Sequence, residues 1–97
     1  MNDSKFINKI VGENLKNARK LKGMTQLEVA KLLNKFQPDY SEYERGVIEL
    51  DYNKIVFLCK LLDITPNDLF GFNWKEPKNK NGQKTLTVFN YSQYLII

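Results

Sequence analysis

No histidine occurs in this chain, and Cys59 is its single cysteine. The first absence removes the commonest general base and the commonest metal ligand, so a metal site would need carboxylates alone. The second excludes a disulfide within the chain and leaves Cys59 to act as a small buried hydrophobe. A glycine-rich phosphate loop is also missing, and no nucleophile stands beside a plausible base. These gaps lead to the expectation of a protein that is not an enzyme, with no catalytic residue, metal or cofactor. Met1 leads into polar Asn2, Asp3, Ser4 and Lys5, and no apolar stretch is long enough for a signal peptide or a membrane span. A cytoplasmic location without membrane contact is the corresponding expectation.

What is present suits one ordinary folded domain: 97 residues, 42% hydrophobic and 27% charged, can close one modest core. The formal charge of +4 is unevenly spread. Residues 1–24 carry six Lys and Arg against two acids, and residues 73–97 carry four against one. Between them, residues 25–72 are acidic, with a net charge of −3.

Helical spacing of Ile7, Val11, Leu15 and Ala18, between capping residues Asp3 or Ser4 and the terminator Gly23, predicts a first helix near 4–22. Thr25-Gln26-Leu27-Glu28 has the form of a capping box and opens a second helix near 25–32 that buries Val29, Ala30 and Leu33. Asn34 and Lys35 break the pattern. A short third helix near 37–45 buries Tyr40 and Tyr43 and stops at Gly46. Asp51 caps a fourth, near 51–62, with Tyr52, Ile55, Leu58, Cys59 and Leu62 as its apolar face. Thr65-Pro66-Asn67-Asp68 starts a fifth, near 65–71, anchored by Leu69 and Phe70.

Two short helices joined by a tight turn and packed on three others form the layout that offers one helix to a DNA major groove. Four stretches carry a more specific likeness. They are Val11 through Gln26, then Val29-Ala30-Lys31-Leu32-Leu33 with Tyr40-Ser41-Glu42-Tyr43-Glu44-Arg45-Gly46, and Leu62 through Phe70. Without a gap from about Val11 to Phe70, the chain resembles the lambdoid phage repressor and Xre family of helix-turn-helix proteins. The resemblance implies an all-α, five-helix lambda-repressor-like domain over residues 1–72 and a transcriptional regulator, a repressor, that binds double-stranded DNA. It further implies that Gln26 touches a phosphate, that Gln37, Pro38 and Glu42 face bases, and that Arg19 and Glu44 form a structural pair bridging the first and third helices. Gln37 suits its position, because an amide can pair with the N6 and N7 edge of adenine. Lys31, Lys35, Arg19 and the lysines of the tail are the expected additional phosphate contacts.

The chain departs from that family at Lys35 and Phe36, which stand where a small apolar residue and a Ser or Thr cap are usual. Phe36 is expected to fill the space that Lys35 vacates, and Gln37 to serve as a weaker cap before Pro38. Asp39, Glu42 and Glu44 also make the recognition segment acidic where it should approach phosphates. That acidity supports a second reading, a protein-binding helix-turn-helix module, such as an antitoxin or a phage-encoded regulator, that docks a toxin or an antirepressor.

Residues 73–97 form an extension: a polar loop, 75–84, then Thr85 to Tyr91, whose β-branched and aromatic pattern suits a strand. Eight of the last twelve residues are apolar or aromatic, among them Leu86, Val88, Phe89, Leu95, Ile96 and Ile97. The economical expectation is a homodimer, through paired tails or a tail lying on the other copy's fourth and fifth helices. The alternative is a monomer whose tail folds back on its own helices.

Overall fold

The computed structural model describes residues 3–72. These form α1 (Asp3–Leu21), α2 (Gln26–Leu32), α3 (Gln37–Glu44), α4 (Tyr52–Leu62) and α5 (Pro66–Phe70), with no strand among the described residues. The fold is all-α with a helix-turn-helix at its centre. The strand-like segment 85–91 and the dimerising tail lie outside the described residues.

Each helix starts and stops for a local reason. The Thr25 amide donates to Glu28 Oε1 at 2.8 Å while the Glu28 amide donates to Thr25 Oγ1 at 3.1 Å, closing the capping box. Thr65 and Asp68 repeat the arrangement at α5, at 2.9 and 3.1 Å. Asp51 accepts from the Lys54 amide at 2.8 Å. A cap of this kind is worth about 1 kcal/mol. These caps have extended backbone, so Thr25, Asp51 and Thr65 stand just outside helices that were expected to include them. Lys22, Arg45 and Gly71 likewise fall beyond the helix ends.

The turn between α2 and α3 depends on Asn34, whose φ of 62° is left-handed. With that residue turned, the Lys35 amide reaches the Ala30 carbonyl at 2.9 Å and the Asn34 amide reaches Lys31 at 3.1 Å. Both bonds satisfy carbonyls that the helix end would leave unpaired, and asparagine adopts this conformation more readily than most residues.

Two close approaches set α3 against α1. A Cβ on Gly12 would meet the carbonyl oxygens of Glu44 and Tyr43, the latter at 2.6 Å. A Cβ on Gly46, where φ is 73°, would lie 2.8 Å from the Lys9 Cα. Glycine at both positions lets the end of α3 rest directly on the α1 backbone. Around this contact the core closes with Val11, Leu15, Ala18, Val29, Ala30, Tyr40, Tyr43, Leu50, Leu58, Cys59, Leu62 and Leu69.

Four expectations are corrected. Tyr52, counted with the apolar face of α4, is 87% exposed, because it sits in the first turn before α4 meets the core. Arg19, expected also to contact a phosphate, is 7% exposed and spends its charge inside the fold on Glu44. Phe36 fills no pocket: it is 80% exposed, while the half-buried Lys35 lays its ammonium 5.8 Å from the Tyr43 ring centroid and covers that ring itself. Gln37 is no cap, since Phe36 holds the cap position and Gln37 and Pro38 are the first two helical residues.

Candidate nucleic-acid interface

A buried polar network joins α1 to the start of α2 and the end of α3. Arg19 Nε donates to Glu44 Oε2 at 2.6 Å and Arg19 Nη2 to Glu44 Oε1 at 3.0 Å, while Nη1 donates to the Met24 carbonyl at 2.8 Å. The Tyr40 hydroxyl donates to Glu44 Oε2 at 2.6 Å, and Gln26 Nε2 donates to Oε1 at 2.9 Å. Four donors therefore occupy the four acceptor directions of one carboxylate. Among the described residues no buried side-chain nitrogen or oxygen lacks a partner.

The protonation states follow from these contacts. Burial by itself would raise the Glu44 pKa, but the hydrogen bonds from Arg19, Tyr40 and Gln26 outweigh it and hold the carboxyl below its ordinary value. The bond to Glu44 raises Arg19 further, and burial, followed by the bond to Glu44, raises Tyr40. At neutral pH the network is an ion pair braced by a neutral phenol.

One more bond carries this rigidity outward. Gln37 Nε2 donates to Gln26 Oε1 at 2.5 Å, so the first residue of α3 is tied to the first residue of α2. Both glutamines are half-buried, while Pro38 and Asp39 are exposed in the first turn of α3. Glu42, one turn later, is half-buried. Lys31 is exposed; it lines a cavity of about 440 Å³ together with Leu27, Asn34, Lys35, Phe36 and Gln37.

On the other side of Gln26 the structure assembles a group that sequence alone did not single out. Lys9, Glu13 and Lys16 of α1 join Gln26, Glu44 and Arg45 around a groove of about 290 Å³. With Glu44 neutralised by Arg19, three cations face one remaining acid there. None of Lys9, Lys16 and Arg45 forms an ion pair with a described residue. The spacing of Lys9 and Lys16, two helical turns apart, was visible in the sequence; the arrival of Arg45 beside them depends on the glycine contacts between α1 and α3.

No three metal-binding side chains cluster among the described residues, and no described helix is long and apolar enough to cross a membrane. The glutamine pair, the exposed start of α3 and the cations on both flanks make a surface suited to hydrogen bonding and anion contact.

A 53-residue stretch is 40% identical to the uncharacterized HTH-type transcriptional regulator YqaE of Bacillus subtilis (strain 168), covering 55% of this chain and 46% of that protein. The match thus spans about half the length of this chain and of that relative. Residues 12–71, which run from the glycine under α3 to the end of α5, match the family described as a helix-turn-helix domain. That match covers more than half of the chain and includes every element of the network above, and the chain belongs to the helix-turn-helix domain family.

Proposed function

We propose that the protein is a sequence-specific transcriptional regulator, a repressor of the lambdoid and Xre type, that places α3 in the major groove of double-stranded DNA. The observation that carries this reading is the Gln26–Gln37 bond anchored on Glu44. A glutamine amide has two N–H donors and one oxygen acceptor. Gln37 uses one donor on Gln26, which leaves its second N–H for adenine N7 and its oxygen for adenine N6. That is the bidentate pattern that singles out adenine in the major groove. Gln26 keeps one N–H for a phosphate oxygen. The bond between the two amides holds the base reader in register with the backbone contact.

Lys31 and Lys35 on one flank, and Lys9, Lys16 and Arg45 on the other, contact phosphates. Pro38 and Glu42 face bases, and Glu42 accepts from cytosine N4. Asp39 favours the positive end of α3. Because α3 itself is acidic, a homodimer strengthens binding by presenting two copies of the surface to half-sites about 34 Å apart. The protein acts in the cytoplasm and performs no catalysis.

The test is a titration of duplex binding against salt. Each neutralised phosphate contributes a log-log slope of about −0.9, so five cations give a steep decline. A flat response would favour the protein-docking reading, in which the acidic stretch 25–72, with its net −3, faces a toxin or an antirepressor.

A further inference from the structure

Phe36 serves neither the core nor the helix that it begins. At the N-cap of α3 an oxygen-bearing side chain would accept a helix N–H, but here no side-chain cap bond forms. Its ring is not packed inside either, being 80% exposed. Beside it lies the cavity of about 440 Å³, whose lining contains no acidic side chain. Leu27, 51% exposed, supplies a second apolar wall, the exposed Lys31 supplies a cation, and Lys35 completes the lining. Gln37 borders the same cavity.

We propose that Phe36 is a specificity-determining residue that packs on the C5-methyl group of a thymine next to the base pair read by Gln37. This inference rests on the DNA-binding reading given above. Thymine is the one base that presents a methyl group in the major groove, and apolar side chains, phenylalanine included, recognise it. The spacing permits this, since consecutive Cα atoms stand about 3.8 Å apart and stacked base pairs about 3.4 Å apart. The charge fits as well. An apolar hollow lined by two lysines and free of acids matches a surface in which methyl groups alternate with phosphates. Phe36 and Gln37 together then specify adjacent A·T pairs by different means, one by shape and the other by hydrogen bonds.

The experiment begins by selecting the preferred duplex from a randomised library with the full chain. Each thymine of that duplex is then replaced singly by deoxyuridine, which removes only the methyl group, and affinities are measured for the unaltered protein, Phe36→Ser and Gln37→Ala. The serine variant restores a capping oxygen, so its fold is retained, which a thermal melt verifies. One thymine beside the pair whose identity matters only when Gln37 is present should weaken binding about fourfold when demethylated, the value of one buried carbon group. In Phe36→Ser that substitution should have no effect. If a sequence is selected but no such methyl-sensitive position exists, or if Phe36→Ser keeps the sensitivity, the role of Phe36 is overturned and the assignment of Gln37 survives. If the unaltered protein selects no sequence, both readings fall.

Discussion

The two ends of α3 are built on opposite terms. At its C-terminal end Tyr43, Glu44 and Gly46 are buried, Glu44 is held by three side chains, and the backbone rests on α1 at Gly12. At its N-terminal end Phe36, Pro38 and Asp39 are exposed, no side-chain cap bond forms, and among the described residues the side-chain tether is Gln37 to Gln26. A helix this short cannot orient itself from within, because isolated helices of a few turns are unstable in water. Fixing the far end releases the near end from structural duty, which leaves its side chains free for the DNA contacts proposed above.

The comparison breaks most sharply at the buried end. Glu44→Ala leaves the Arg19 guanidinium unpaired in a site where the two side chains are 8% and 2% exposed. Stranding a charge at such depth costs about 3–5 kcal/mol, which urea unfolding should register. The same comparison has a pH dependence. Because the folded Glu44 pKa lies below its ordinary 4.5, the pair contributes fully above that value, and its contribution is lost as pH falls through the lowered folded pKa. The acid slope of stability should therefore be shallower in Glu44→Ala than in the unaltered chain over that window.

A smaller effect is expected at the contact with α1. Gly12→Ala forces a methyl group into the carbonyl oxygens of Tyr43 and Glu44, and overpacking of this kind costs about 1–3 kcal/mol. Chemical-shift changes in a two-dimensional NMR spectrum should then reach the first turn of α3. If they stop at Tyr43, the far end does not orient the near end. At the open end the sign reverses: Phe36→Ser gains a cap and should raise stability by up to about 1 kcal/mol. A loss in the thermal melt would mean that Phe36 has a packing role.

These two ends were also unequally legible before the fold was known. Caps follow local rules, so Thr25, Asp51 and Thr65 could be placed from neighbouring residues, with errors of one position because a cap is half in the helix. Pairing of Arg19 with Glu44, 25 residues apart, came from the family likeness. Tyr40 lies four residues before Glu44 on one helix, so its bond to Glu44 is legible from spacing alone. The Gln26–Gln37 bond and the groove of Lys9, Lys16 and Arg45 depend on the angle at which helices cross, which no local pattern reports. Phe36 and Tyr52 lie outside the core because aromatic character alone does not bury a residue, and a start of helix points away from the core as readily as toward it.

The central claim is that Gln37 reads a base while Gln26 positions the backbone. It is tested most directly by measuring the affinities of Gln37→Ala and Gln26→Ala for the selected duplex and for a scrambled one at a single salt concentration. Gln37→Ala should lose about 1–3 kcal/mol on the selected duplex and little on the scrambled one, whereas Gln26→Ala should weaken both together. Two variants that lose the same affinity on both duplexes would contradict the assignment.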